Sequence, residues 1–452
     1  MMKRRVVQWP VLFLLAWIGL ILAAPAQADE VIPPDPELRW WRGNLHTHTL
    51  WSDGNDFPEM IAEWYRTHGY DFLALSDHNV LSQGQRWMKA SEIARRSGDQ
   101  ALDKYLKCYG RHWVETRGEG DALEVRLKPL NEFRALVEER GKFLMIEAEE
   151  ISDSVQGRPL HMNASNLQET VRPVGGSTIR EAMANNLRAV DEQAKRTGRE
   201  ILVHLNHPNF HFAVTAEDMA AVVQERFFEV YNGSDGDNHI GDHHHPSVER
   251  LWDIANTIRL GELHAAPLYG VATDDSHHYH DKPTGPASAT TGRGWIMVRA
   301  RHLTPESLIR AIKAGDFYAS SGVQLNAIRF SAESGVLELE IEPRKGVTFE
   351  TEFIGTTSDY STESEPRLDD QGNPRPNVTR KYSREVGRVL ARERGLNPRY
   401  KLTGNELYVR AVVTSSEHHG DPSFGHQHKQ AWTQPVGWEQ WLERQKKPQP
   451  TE

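Results

Sequence analysis

Histidine and carboxylate residues gather at five places in this chain, each just after a short apolar run. The first is Asn44-Leu45-His46-Thr47-His48, with Asp53 five residues past His48. Side chains at i and i+2 of an extended segment point the same way, so His46 and His48 can chelate one ion. The second is Asp77-His78, directly after Phe72 to Leu75. The third is Glu147, Glu149 and Glu150 after Phe143 to Ile146, with His161 eleven residues beyond Glu150. The fourth is His204-Leu205-Asn206-His207-Pro208, and the fifth is Asp274-Asp275-Ser276-His277 after Leu268 to Ala272. Imidazole mixed with carboxylate suits zinc, manganese or iron. A thiolate site is excluded, as is an intramolecular disulfide, because Cys108 is the only cysteine. One strand histidine is commonly a packed or surface residue, but five such groups together point to a metal centre.

Two of these groups contain competitors. Strand alternation puts Glu150 on the face opposite Glu147 and Glu149, and the small residue Ala148 two positions earlier favours Glu150. His204 lies inside the apolar run Leu202 to Leu205, whereas Pro208 marks a loop at His207, where a ligand belongs. Asp77 and Asp274 suit either an outer shell that orients imidazoles or a turn. Arg158 and Arg293 are candidates to meet a substrate anion. The loop histidines 239 and 243–245 read as an extra contact or as a solvated loop, and those at 418, 419, 426 and 428 as a surface loop.

Such groups need a scaffold that brings strand ends together. Strand patterns run at Arg42–His46, Phe72–Leu75, Phe143–Ile146, Ile201–Leu205, Phe227–Tyr231, Leu268–Ala272 and Trp295–Val298. Helical periods begin at Pro58 and cover Thr178–Thr197, Ala216–Gln224, Pro246–Ile258 and Pro305–Ala314. Seven strands alternating with helices imply a parallel α/β sheet or barrel over residues 40–322, with ligands at the C-terminal strand ends. Residues 85–126 read as an insertion with helical stretches and no strong strand. After Gly322 the period changes to two, as in Leu337, Leu339 and Ile341 between glutamates. Residues 323–440 therefore read as a small β-sandwich domain, with 356–399 an exposed excursion and 441–452 a tail.

Lys3, Arg4 and Arg5 precede the apolar run Val11–Leu22, and Ala26-Gln27-Ala28 matches a signal-peptidase site. Residues 1–28 read as a cleaved signal peptide, which makes the product periplasmic or secreted with Asp29 first. The run is shorter than the roughly 20 residues a membrane span needs, so no stable membrane insertion is expected. Removing residues 1–28, with three positive and no negative charges, takes the formal charge from −10 to −13. That balance argues against nucleic-acid binding.

The ordered set of His-x-His with its later Asp, Asp-His, small-x-Glu, Asn-His-Pro and Asp-x-His resembles the polymerase and histidinol phosphatase (PHP) superfamily over residues 40–322. Ala148-Glu149-Glu150, Val230-Tyr231-Asn232-Gly233 and Ala431-Trp432-Thr433-Gln434-Pro435 are similar to its carbaryl-hydrolase branch. The resemblance implies a distorted seven-stranded β/α barrel with two to three divalent ions. It implies a first position held by His46, His48, Glu150 and Asp275, and a second sharing Glu150 and adding His161 and His207. A third would be held by Asp53, His78 and His277. At the Asp53 position the best-known members carry His, while many phosphoesterase-like members carry Asp.

The reaction expected is hydrolysis of a small-molecule phosphoester by metal-activated hydroxide. Glu150, Asp275 and His207 would act at the centre, and Arg158 or Arg293 would meet developing charge. Carbamate or carboxylic ester hydrolysis is the first alternative, and a non-catalytic metal-binding protein is the second.

Overall fold

A computed structural model describes residues 35–234, 238–280 and 288–446; the expected signal peptide lies outside them. The chain enters through β1 (Arg39–Asn44), and Pro58 at the first helical position starts α1 (Pro58–Thr67). Helix α1 packs Ile61, Ala62 and Tyr65 inward and returns the chain to β2 (Phe72–Leu75), every residue of which is buried. Residues 86–127 hold β3 (Arg86–Lys89), α2 (Ala90–Ser97), α3 (Ala101–Tyr109), β4 (Thr116–Arg117) and β5 (Glu124–Leu127). The insertion thus contains a three-stranded sheet that its apolar pattern did not announce.

After α4 (Leu130–Val137), β6 (Leu144–Val155) and β7 (Arg158–Ser165) form a hairpin. Gln156 and Gly157, both at positive φ, make its two-residue turn, which suits the twist of paired strands. Thr178 caps α5 (Ile179–Thr197) by accepting from Glu181 N, and Gly198 ends it in the left-handed region. There follow β8 (Leu202–Leu205), α6 (Ala216–Ala221), β9 (Phe227–Asn232), α7 (Val248–Gly261), β10 (Tyr269–Thr273), β11 (Trp295–Ala300), α8 (Pro305–Lys313) and β12 (Phe317–Ser320). The remaining elements are β13 (Leu325–Ser331), β14 (Val336–Ile341), β15 (Phe349–Thr357), β16 (Ser364–Glu365), β17 (Lys381–Tyr382), β18 (Arg388–Arg394), β19 (Arg399–Lys401), β20 (Glu406–His418), β21 (His428–Thr433) and α9 (Trp438–Lys446).

The fold is mixed α/β around one large sheet of order β10-β9-β8-β7-β6-β2-β1-β11-β12-β21-β20-β15-β18. It is not all parallel, because β7 runs against both its neighbours and β11 runs against β1. The expected barrel does not close. The edge of β1 that closure requires is taken by β11, from Arg39 opposite Ala300 to Gly43 opposite Ile296. The sheet still curls until the segments after β1 and β10 meet. There Asp275 N donates to His46 O and His48 N to Ser276 O, both at 3.0 Å. That contact sets the C-terminal strand ends around one point.

The C-terminal strands do not form a separate pair of sheets. β21 pairs with β12, so β21, β20, β15 and β18 continue the large sheet. The second layer is β13-β14-β19, whose Leu325, Leu337, Leu339 and Ile341 pack with Phe349, Phe353, Val409 and Val413. Within the expected excursion, β18 lies on β15, and α9 covers residues 441–446 of the expected tail, with Trp441 donating to Leu260 O. The described residues from Leu38 onward form one compact unit. Among the described residues no helix is long and apolar enough to cross a membrane.

Candidate metal centre

Glu150, fully buried on β6, is the focus of the site. Its Oε1 lies 3.1 Å from His161 Nδ1, 3.4 Å from His207 Nε2 and 3.5 Å from His46 Nε2. Its Oε2 lies 2.6 Å from His78 Nδ1 and 3.5 Å from His48 Nε2. Asp275 Oδ1 is 3.1 Å from both His46 Nε2 and His48 Nε2, and 3.6 Å from His277 Nδ1. Asp53 joins His48, His78 and His277 at 3.3–3.5 Å. The nine expected ligands therefore converge. They include three donor groups that share corners: His48-Asp53-His78-His277, His46-His48-Glu150 and His78-Glu150-His161. A cavity of about 240 Å³ opens onto them, lined by seven of the nine with Phe210, Asn232 and Ser234.

The surrounding chain holds these groups in place. Asp77 accepts from Thr49 N, Thr49 Oγ1 and Ser52 Oγ, which fixes the loop bearing His48 and Asp53. His46 Nδ1 lies 2.7 Å from Glu229 Oε1, which turns Nε2 toward Glu150 and Asp275. Glu229 also accepts from Thr273 Oγ1, His207 N and Asn232 Nδ2. Asn206 Nδ2 donates to Glu150 Oε1 at 2.8 Å and to Asn163 Oδ1 at 2.9 Å. Asp275 itself adopts φ 46, a left-handed conformation that Asp tolerates better than most residues.

Glu229 and Asn206 were not anticipated as contributors. The signal for Glu229 was a carboxylate inside the apolar run Phe227 to Tyr231. Its orientation depends on a bulge: Val271 pairs with Glu229 but Ala272 with Tyr231, so β9 has one extra residue. The bulge lets Glu229 and Asn232 reach each other on the cluster side.

The charges in the cluster are coupled. Burial opposes the Glu150 charge, yet His78, His161 and His46 hold its carboxyl well below the ordinary range. Asp275 is held down against burial by His46, His48 and His277. Burial opposes protonation of His78 and His207 too, but Glu150 with Asp53 or Asp275 lifts them to about 11 and about 9. His48 goes the other way, to about 4, through burial and the neighbouring His277. Buried carboxylates in such numbers require positive charge among them. Glu150 Oε2 and His161 Nδ1 are buried and, despite neighbours at 2.6 and 3.1 Å, make no well-directed hydrogen bond. Nitrogen and oxygen donors at these spacings fit divalent transition metals, and Cys108 is exposed and absent from the groups.

Glu149 lies outside the cluster, accepting from Val171 N, and burial pushes its carboxyl up to about 8. Glu147 takes the side-chain amide of Gln83. His207 reaches the cavity, whereas His204 lies behind it, 3.5 Å from Glu229. Asp274 accepts from Tyr65 OH and from the backbone of Gly292, Arg293 and Gly294. Neither expected arginine reaches the cavity. Arg158 is engaged by Asn377, the Ala213 carbonyl and Asp218. Arg293 is fully buried on Asp421 and the Gly233 carbonyl. Backbone and carboxylate acceptors from distant segments have claimed both guanidinium groups. His239 stacks on Phe424, and burial takes it down to about 4. His418 and His428 pair across β20 and β21, apart from the cluster.

No family model and no curated protein sequence matches the chain. Among the solved structures similar to it are two bacterial proteins. One is a two-domain protein containing a predicted PHP-like metal-dependent phosphoesterase from Bacteroides vulgatus. It is 12% identical with a TM-score of 0.37, covering 91% of this chain and 100% of that one. The other is a candidate metal-dependent phosphoesterase from Bifidobacterium adolescentis, 15% identical with a TM-score of 0.28, covering 55% and 92%. Both likenesses are too distant to bear on chemistry, which the residues of the site decide.

Proposed function

We propose that this chain is a PHP-type metal-dependent hydrolase of ester bonds, with a small-molecule phosphoester as its substrate. The observation that carries this reading is Glu150 within 3.5 Å of five imidazoles, at the meeting of corner-sharing donor groups below an open cavity. Two or three divalent ions of zinc, manganese or iron would supply the Lewis acidity that makes water nucleophilic near neutral pH and offsets phosphoryl charge. Glu150 would be shared between one position held with His46, His48 and Asp275 and a second held with His161 and His207. Asp53, His78 and His277 would complete a third position.

The other residues hold this set still. Glu229 keeps His46 Nε2 aimed inward, Asn206 holds Glu150 Oε1, and Phe210 gives the cavity an apolar wall. The described lining contains no Arg or Lys, so phosphoryl charge would be met by the centre itself.

The test is a screen of purified protein loaded separately with zinc, manganese and iron, with metal content measured beside turnover. Two to three equivalents of metal and hydrolysis of phosphomonoesters or phosphodiesters are expected. Turnover of aryl carbamates without any phosphoester would overturn the reaction and leave the centre. Bound metal with no turnover would make the chain a metal-binding protein, and under one equivalent would remove the centre.

The reading includes export, with residues 1–28 removed and no nucleic-acid partner or stable membrane insertion. N-terminal sequencing of protein from the periplasm or medium should begin Asp29-Glu30-Val31. Intact Met1 in the membrane fraction would refute export.

A further inference from the structure

The loop between β20 and β21 reaches the back of the metal centre at two places on either side of Asn232. On one side, Tyr231 OH is 3.0 Å from Ser423 Oγ and accepts from Gln427 Nε2 at 3.0 Å. On the other, Arg293 donates to the Gly233 carbonyl at 2.7 Å and is gripped by Asp421 at 2.9 and 3.2 Å. Gly233 has no slack, since a Cβ there would lie 2.7 Å from Asp274 O. Held between these points, Asn232 directs its amide to Asp275 Oδ2 at 3.2 Å and to Glu229 Oε2 at 2.8 Å. Asp275 belongs to the cluster, and Glu229 orients His46.

We propose that the 421–427 loop is a positioning element of the metal centre, acting through Tyr231 and Gly233 on Asn232. This rests on the reading of the cluster as a metal centre, and assigns the C-terminal strands a part in it. Asp421 and Tyr231 are positioning residues: neither is a ligand, and both fix the backbone that aims the Asn232 amide. A hydrogen-bonded outer shell is where such influence is expected, because it sets the direction of the ligand atoms. The bulge in β9 makes it possible, by turning Glu229 and Asn232 to the cluster while Tyr231 faces Trp432 and the loop.

Cobalt(II) is the probe, because its visible bands report ligand geometry directly. The full chain is loaded with cobalt as wild type, Asp421→Ala, Asp421→Asn and Tyr231→Phe. Tyr400→Phe is the control: it also loses a hydroxyl hydrogen bond in the C-terminal strands, to Glu406, away from the loop. Asp421→Ala and Tyr231→Phe should weaken cobalt binding about tenfold, the lower end of outer-shell effects, and alter the bands. Asp421→Asn keeps an acceptor for Arg293 and should shift both less, and Tyr400→Phe should leave both unchanged. Should Asp421→Ala fail to fold, Tyr231→Phe and Asp421→Asn decide the matter. Wild-type affinity and spectra in those variants, or an equal change in Tyr400→Phe, would overturn the proposal alone. Failure of wild type to bind cobalt would overturn the metal reading, and this proposal with it.

Discussion

Replacing Glu150 by Gln tests the proposed shared ligand against its neighbours on the same strand. Asn206 Nδ2 donates to Glu150 Oε1 at 2.8 Å, so a Gln side chain keeps its oxygen at that end. Its NH₂ then faces His78 Nδ1 and His48 Nε2, 2.6 and 3.5 Å from the present Oε2. That end presents hydrogens where a cation needs a lone pair, and the buried site loses one negative charge. Loss of an outer-shell partner costs about 10–100-fold in metal affinity or activity, so loss of a shared ligand should cost roughly 100-fold or more. In free energy that is at least about 2.7 kcal/mol. Glu149→Gln is the matched comparison. Burial holds the Glu149 carboxyl near 8, so at pH 7 the exchange replaces one neutral group by another, and its acceptor for Val171 N survives. Activity within about twofold of wild type is expected there. Chelator competition, phosphoester turnover and circular dichroism on both variants make the test. Equal losses would refute the assignment of strand faces, and full activity in Glu150→Gln would remove Glu150 from the centre.

Arg158→Ala should leave kcat/KM within about twofold, because its guanidinium is spent on Asn377, Ala213 and Asp218 outside the cavity; a tenfold fall would place it in the reaction after all. Burial pushes the Glu225 carboxyl up from 4.5 to about 8, so the folded state binds its proton more tightly than the unfolded chain does. Its contribution is full below about pH 4.5 and declines by up to ~1.4 kcal/mol per unit as pH rises toward 8. Calorimetry of Glu225→Gln at pH 5 to 8 should show a flatter stability profile than wild type, and parallel profiles would contradict this. Arg410 is buried and bidentate on Asp253, joining β20 to α7. Arg410→Ala should therefore cost about 3–5 kcal/mol in denaturant unfolding, and a loss under about 1 kcal/mol would show the pair to be dispensable.

Local chemistry made much of this legible in advance. Apolar runs located β2 and β8 to within a residue, Pro58 and Thr178 marked helix starts, and alternation separated Glu150 from Glu149. What escaped was set by partners remote in sequence. β7 begins Arg158-Pro159 and contains polar residues at His161 and Asn163, so its pattern is that of a loop. It is a strand because Gln156-Gly157 folds it back on β6 and β8 lies along its other side. Barrel closure failed for a similar reason, since nothing within Trp295–Val298 reveals that it runs against β1. The bulge that aims Glu229 is a mismatch between two strands and has no mark in either one. The guanidinium groups of Arg158 and Arg293 went to acceptors that only the assembled fold supplies.

The same distinction explains how adjacent carboxylates come to do different work. Asp274 receives four hydrogen bonds, from Tyr65 OH and three consecutive backbone amides, and Asp77 receives three. With their lone pairs satisfied by donors, both are clamps: one holds residues 292–294, the other the loop of His48 and Asp53. Asp275, one residue on, receives the Asn232 amide and turns Oδ1 toward three imidazoles. His78, one residue after Asp77, faces Glu150 and Asp53. In each doublet the first residue accepts from the surrounding chain and fixes backbone, while the second faces the cluster. Counting donors thus separates Asp274 and Asp77 from the neighbours that face the cluster, where proximity in the sequence cannot.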